Sequence, residues 1–346
     1  MSDRNEFFQQ LEAHAQRLFH LLDCFEHPNI LVVGDLALDE FVTGEVERLS
    51  REAPVLILRH ENTVQIPGGG GNAVYNLAKL GANVQVAGLI GYDPQGSALK
   101  GIFAEAGVDT QGMIAVRDRE TVTKTRISGH ARQSVTQQIV RLDRKSKSPL
   151  AASYQSQLSD FVKASLPQVD AVVCSDYGDG VLSSPVVAAA LSHSRTIIDA
   201  QTELSRYQGA TLFTPNLPEA EAAVGYSISN EDLLYQAGQD LLKLTQAQQI
   251  LITRGDEGMT LFKHTGDVNH IRPFNRTDVF DVTGAGDTVV AALTISLCAG
   301  ATPWEAAVLG NLAASIVVRQ FGTATTNVEE MKSALKTILE DPSLLD

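Results

Sequence analysis

The chain is 346 residues long, 44% apolar and 20% charged, as expected of a soluble globular protein able to bury a large core. A formal charge of −14 argues against nucleic acid or an anionic membrane as partner, since both are polyanions, but admits a phosphorylated small molecule held by backbone N–H groups and a metal ion. No apolar run reaches the roughly 20 residues of a membrane span, and Cys24, Cys174 and Cys298 are too scattered for a metal or disulfide site, so free thiols in a reducing, cytoplasmic setting are expected.

Residues 1–27 begin polar and become amphipathic, unlike a signal peptide. They read as a helical extension whose stripe of Phe7, Phe8, Leu11, Leu18, Leu21 and Leu22 packs on the main domain, residues 28–340. That domain opens on a buried strand at 30–33, ending at Gly34-Asp35. Between about 41 and 66, and again at 121–143, β-branched and partly alternating segments predict strands with one solvated face, together a small β-sheet lid. After four glycines, 72–80 reads as a helix stopped by Gly81, and 84–90 as a strand. Asp93 and Pro94 form an N-cap and first helical residue, with Leu99, Ile102, Phe103 and Ala106 facing inward. Further strands fit at 169–174, 196–199, 210–214, 250–253 and 259–262, with helices between most of them. Such alternation implies a parallel sheet covered on both faces. Residues 341–346 read as a frayed end.

Three glycine-bearing segments carry the chemistry. In Asp278-Val279-Phe280-Asp281-Val282-Thr283-Gly284-Ala285-Gly286-Asp287, small residues precede an apolar helix. Such a turn leaves the first N–H groups open at the positive end of the helix dipole, which suits phosphoryl oxygens. Asp287 would stand beside that anion, where a carboxylate accepts a proton from an attacking hydroxyl. The plainer reading is a turn with Asp287 as a cap. Pro67-Gly68-Gly69-Gly70-Gly71-Asn72 allows close approach of a ligand, or acts as a hinge. It lacks Gly-Lys-Ser/Thr and does not follow a clear strand. Thr253-Arg254-Gly255-Asp256-Glu257-Gly258 ends a buried strand, where open α/β sheets bind ligands, though an ordinary turn looks the same. Asp39 is placed either to bond a polyhydroxyl substrate or to cap a loop. Asn216 and Glu219, three residues apart, are oxygen ligands suited to a hydrated Mg²⁺ or a capped helix start.

In this order the motifs resemble the ribokinase-like (PfkB) carbohydrate kinases from about residue 30 to 330. The resemblance implies an α/β fold with a central, mostly parallel sheet, helices on both faces and a small β-sheet lid. It implies transfer of the ATP γ-phosphoryl group to a sugar hydroxyl. Asp287 becomes the base, with the N–H groups of Ala285 and Gly286, in the turn that starts at Gly284, as anion hole. Asn216 and Glu219 match an N-x-x-E motif tied to Mg²⁺ and phosphate. Thr253, Gly255, Gly258 and Asn311 fall on the nucleotide side. Asp39, Gly69, Gly70 and Asn72 fall where sugar hydroxyls are held. Asp281 and Thr283 match a loop that often carries a monovalent cation such as K⁺. Such lids often mediate dimerisation, so a homodimer through the lid is expected.

Within the family, the stretches at 34–39, 48–55, 123–126, 141–143, 175–177 and 207–216 are most similar to D-glycero-β-D-manno-heptose-7-phosphate kinases, which act in making ADP-heptose. Lys124 and Arg126 lie in the lid, where basic groups either meet a substrate phosphate or stand on a solvated face. Two positions depart from that group. Asp179 stands where a lysine usually follows Ser-Asp-Tyr, and Asp199-Ala200-Gln201 replaces Asp-Pro-Lys. An insertion at 129–135 also alters the lid. These departures point toward another sugar, such as ribose or fructose. The chain has no room for the adenylyltransferase domain often fused to such kinases. A catalytically silent sensor is the competing class, and the intact Gly284-Ala285-Gly286-Asp287 argues against it. A dehydrogenase lacks its strand–Gly-x-Gly-x-x-Gly–helix unit.

Overall fold

Apolar runs that alternate with helices bury themselves best as a parallel sheet between two helical layers. The computed structural model describes residues 2–25, 27–131, 135–146, 148–274, 279–320 and 322–341. Residues 342–346 of the frayed end expected at 341–346, residues 132–134 of the lid insertion and Asp278 lie outside them. In chain order the first strands are β1 (Asn29–Gly34), β2 (Leu36–Leu49), β3 (Leu56–Gly69), β4 (Asn83–Gly91), β5 (Asp109–Val116), β6 (Val122–His130) and β7 (Gln137–Arg144). They are followed by β8 (Ala171–Asp176), β9 (Thr196–Ala200), β10 (Leu212–Phe213), β11 (Gln249–Thr253), β12 (Met259–Lys263) and β13 (Val268–Ile271).

Nine strands form the body sheet in the order β13-β12-β11-β10-β9-β8-β1-β4-β5. All pairs are parallel from β11 to β5, and only the β11–β12 and β12–β13 pairs at the edge are antiparallel, so that β12 alone is reversed. β1 shows why both faces are covered: Ile30 and Val32 enter one buried cluster, Leu31 and Val33 the other. The first cluster is closed by α1 (Ser2–Asp23), α2 (Gly70–Lys79), α3 (Pro94–Glu105), α8 (Ala285–Cys298), α9 (Pro303–Val317) and α10 (Val328–Glu340). The second is closed by α4 (Ala152–Ser165), α5 (Ser184–Ala190), α6 (Leu217–Val224) and α7 (Glu231–Thr245). Among the described residues no helix is long and apolar enough to cross a membrane.

The expected lid is a separate four-stranded sheet, β3-β2-β6-β7. Its central pair, β2 and β6, is parallel, and the outer pairs are antiparallel. Only Asp35 separates β1 from β2, so one strand of the body runs almost directly into the lid. Gly34 makes that junction possible, because a Cβ there would lie 2.4 Å from the Ser175 carbonyl oxygen.

Several expectations are corrected in detail. The strand expected at 169–174 is shifted to β8, since Leu166–Gln168 forms a short 3₁₀ turn after α4. The strand at 210–214 contracts to β10. β5 and β13 carried too weak a pattern to be expected. In β5 the weak residue is Gly112, which lowers strand propensity but is required by packing. A Cβ there would meet the Phe161 ring at 2.4 Å and the Val86 carbonyl at 2.5 Å. The Asp93 N-cap is present, its carboxylate accepting the Gly96 N–H at 2.7 Å.

α1 buries Phe7, Leu11, Leu18, Leu21 and Leu22 in the first cluster. Its contacts reach the C-terminal half: the Phe7 ring lies 6.0 Å from Phe274, His14 lies 4.9 Å from Trp304, and Arg17 donates to the Gly300 carbonyl at 2.9 Å. A core contribution of this kind is measurable. Leu18→Ala is expected to lower the unfolding free energy by about 2–5 kcal/mol in urea titration. An unchanged midpoint would show that α1 is a loosely attached appendage.

Candidate active site

α8 is mostly apolar and is buried from Asp287 to Ser296, so the body core sets where its first turn points. Gly284 caps it at φ 79°, a left-handed conformation that costs little only in glycine. A Cβ at Gly284 would also lie 2.4 Å from Asn72 Nδ2. The Ala285 N–H donates to the Val282 carbonyl at 3.2 Å, so it is engaged within the turn. At Gly286 an added Cβ would meet nothing within 4 Å, so this part of the turn faces open space.

Asp287 is buried on the first turn of α8. Asn72 Nδ2 donates to its Oδ2 at 2.9 Å and the Tyr177 hydroxyl to its Oδ1 at 3.1 Å. Burial raises its pKa to about 6, against the two hydrogen bonds and the Lys124 ammonium, which favour the carboxylate. Asn72 is itself fixed. Asn76 Nδ2 donates to Asn72 Oδ1 at 3.1 Å, and the Thr288 hydroxyl donates to Asn76 Oδ1 at 3.0 Å. α2 and α8 are thus joined by a buried polar ladder beside Asp287.

The glycine run does follow a strand, contrary to the expectation that no clear strand precedes it. β3 extends through Gly69, and α2 starts at Gly70. Pro67 is tolerated because β3 is an edge strand of the lid. Part of the run answers to packing: a Cβ at Gly68 would lie 2.6 Å from Asp39 Oδ2, and one at Gly69 would lie 2.9 Å from the Asp35 carbonyl.

Across the lid the register places Asp39 beside Lys124, and Lys124 beside Asp143. Two residues along on the same face come Phe41, Arg126 and Arg141. Arg126 donates to Asp39 Oδ1 at 2.7 Å with its guanidinium 5.1 Å from the centre of the Phe41 ring. Arg141 forms two bonds to the Asp143 carboxylate, at 2.7 and 2.6 Å. Arg141 is thus a member of the basic row that sequence reading did not single out. Only its position opposite Arg126 reveals it.

Tyr177 was read only as part of Ser175-Asp176-Tyr177. The Asp35 carboxylate holds its loop, accepting the N–H groups of Tyr177, Asp179 and Val181 at 2.9, 2.8 and 3.1 Å. Asp179, where a lysine was expected, is not a bare negative charge. Lys145 at the end of β7 pairs with its carboxylate, and Arg119 donates to its carbonyl.

On the far side of α8 lies a cavity of about 460 Å³. Thr253, Gly255, Gly258, Asn311, Ala285 and Gly286 all line it, so the residues expected on the nucleotide side do converge with the Asp287 turn. Asn216 and Glu219 form a reciprocal capping box on α6, each accepting the other's N–H at 2.9 Å. Asn216 bridges to Thr253, which sets this pair beside the end of β11. Glu219 is raised above the usual carboxylate range by burial. Asp199, at the end of β9, was missed as a site group. Burial, then the negative charges of Asp287 and Glu219, raise its pKa well above normal. Burial acts against Asp281 too, but the hydrogen bonds from Thr283 and Gly322 prevail and hold it below the usual range. Asp281 and Thr283 therefore shape one loop, Thr283 N–H to Asp281 Oδ1 at 2.9 Å.

Residues 28–331 match the family described as pfkB family carbohydrate kinase. The chain is 40% identical over 318 residues, 90% of its length, to the bifunctional protein HldE of Desulfatibacillum aliphaticivorans, and spans 64% of that relative's length. Among solved structures it resembles phosphofructokinase-2 from Escherichia coli in complex with potassium, with TM-score 0.71, 20% identity, and 90% and 99% of the two chains covered. It also resembles Arabidopsis thaliana ribokinase complexed with ribose and ATP, with TM-score 0.67, 19% identity, and 91% and 99% covered. With these likenesses setting the fold and the family match covering most of its length, the chain belongs to the pfkB family of carbohydrate kinases.

Proposed function

We propose that the protein transfers the γ-phosphoryl group of ATP to a hydroxyl of a phosphorylated sugar, D-glycero-β-D-manno-heptose 7-phosphate, giving the 1,7-bisphosphate. The observation that carries the kinase reading is Asp287, a buried carboxylate between a nucleotide-sized cavity and a polar lid. With a pKa of about 6 it is ionised at neutral pH and basic enough to take the sugar proton late in the transfer. The Gly286 side of the turn and the α8 dipole would face the phosphoryl oxygens. Asp39, Asn72, Gly69 and Gly70 line the approach from the lid and would orient the sugar.

A phosphorylated acceptor is supported by the basic row. Arg126 and Arg141 stand directly opposite each other on neighbouring strands, each also paired with a carboxylate, Asp39 and Asp143. A phosphate reaching both guanidiniums would be held by two forked donors. The heptose itself rests on the resemblance of the stretches quoted above. Asp179 and Gln201 in place of lysines favour a second reading, in which another sugar, such as ribose or fructose, is the acceptor.

Among the described residues no three His, Cys, Asp or Glu side chains form a ready ligand set. Asn216 and Glu219 nevertheless fit Mg²⁺, which keeps several waters and takes phosphate oxygens, and the negative charges of Asp287 and Glu219 that bear on the buried Asp199 make a divalent cation favourable there. When bound, Mg²⁺ would neutralise charge on the phosphates. Asp281 and Thr283 would shape a monovalent-cation loop. A homodimer through the lid is supported by the exposed apolar residues Leu56, Val64, Val140 and Leu142.

Three outcomes test this reading. In a coupled assay, Asp287→Asn lowers kcat by on the order of 10² or more while ATP affinity by calorimetry stays nearly intact. Near wild-type turnover would remove Asp287 as base. For the wild type, kcat/KM falls as pH drops below about 6, because the carboxylate that accepts the proton becomes protonated. Arg141→Gln raises KM for the sugar phosphate by on the order of tenfold or more with KM for ATP unchanged. An equal loss with the unphosphorylated sugar would show that Arg141 does not read the phosphate.

A further inference from the structure

The Tyr177 loop is held more firmly than a surface turn requires. Three N–H groups converge on Asp35, and Asp176 adds a second anchor by accepting the Gly178 N–H at 2.9 Å and the Tyr207 hydroxyl at 2.5 Å. Convergent donors on a buried carboxylate leave such a loop little freedom. The outcome is a phenol hydroxyl 3.1 Å from Asp287 Oδ1, with Asn72 occupying the other oxygen and Lys124 Nζ 5.8 Å from the centre of the Tyr177 ring.

We propose that Tyr177 is a positioning residue of the phosphoryl transfer: its hydroxyl fixes one oxygen of Asp287 and favours the ionised carboxylate, so that the base is aimed before the sugar arrives. The proposal rests on the kinase reading of Asp287. In the transfer, the sugar O–H bond breaks and its proton passes to Asp287. The sugar oxygen forms the new O–P bond, and the bond from the γ-phosphorus to the bridging oxygen breaks, its electron pair leaving on ADP. Tyr177 donates a hydrogen bond throughout and exchanges no proton. Burial, then the charges of Asp287 and Asp199, push its phenol well above the ordinary range, which keeps the donor protonated.

The groups facing Asp287 come from five elements. Asn72 on α2, Tyr177 after β8 and Lys124 on β6 favour the carboxylate, whereas Asp39 on β2 and Asp199 on β9 oppose it. A merely structural tyrosine would fill the same space, since its ring lies close to Gly69 and beneath Lys124. Tyr177→Phe separates the two roles, because it keeps the ring and removes one hydroxyl. The variant is expected to lose about tenfold in kcat with KM for ATP unchanged, and the acid limb of kcat/KM moves up by about one pH unit. Ionisation of ATP and of the sugar phosphate is common to both proteins, so the difference between them reports the base. Carbon-13 NMR of aspartate-labelled protein, without substrate, is expected to show the Asp287 midpoint rising by a similar amount. An unmoved limb and midpoint would overturn the proposal even if kcat fell. If the wild type phosphorylates no acceptor, the kinase reading fails, and the NMR midpoint alone decides: a rise supports Tyr177 as the group that sets Asp287, and no rise overturns it.

Discussion

The cleft depends on one buried carboxylate being held by an amide from a distant part of the chain. Asn72 and Asp287 are 215 residues apart, yet their side chains meet at 2.9 Å where α2 and α8 begin. An ionised carboxyl taken out of water without donors costs several kcal/mol. The Asn72 and Tyr177 bonds are therefore conditions for a charged Asp287 at that depth. Thr288 then holds Asn76, and Asn76 holds Asn72, so the ladder ties the helices to the base. Gly284 belongs to the same constraint, because its missing Cβ makes room for the Asn72 amide.

The lid has two faces with opposite electrostatic character. On one, Glu40 accepts from Gln65 and Thr125, each at 2.8 Å, and Arg144 approaches within 3.5 Å, so the charges are satisfied inside the sheet. On the other, Lys124, Arg126 and Arg141 outnumber Asp39 and Asp143. In a chain of net charge −14, this row carries one more cationic than anionic side chain. Lid and body are coupled through Asp35, which sits between β1 and β2 and clamps the Tyr177 loop. Burial raises Asp35 to about 6 against the pull of its backbone donors.

Much of the architecture was legible because it is written locally. Strand runs such as 30–33 and 250–253 and the Asp93-Pro94 helix start depend on neighbours in sequence, and they appear where expected. The two lid segments were recognisable as strands, but their order, with β2 and β6 parallel at the centre, is a matter of chain path. Errors fell where packing overrode local preference. The glycine run reads as punctuation, yet Gly68 and Gly69 lie in a strand because Asp39 and Asp35 press against it. Gly112 hides β5 for the same reason.

By itself the sequence determined the alternating α/β plan and the small-residue turn that opens α8 with Asp287. It also determined the spacing of Asn216 and Glu219, all of which are properties of contiguous residues. Only the tertiary structure decided what surrounds Asp287, that Lys145 answers the charge of Asp179, and that Arg141 faces Arg126. It also decided that Asn216 and Glu219 cap each other beside β11. The physical reason is that hydrogen bonds and charges act over a few ångströms of space. Residues that share those ångströms here come from helices, strands and loops up to 283 positions apart.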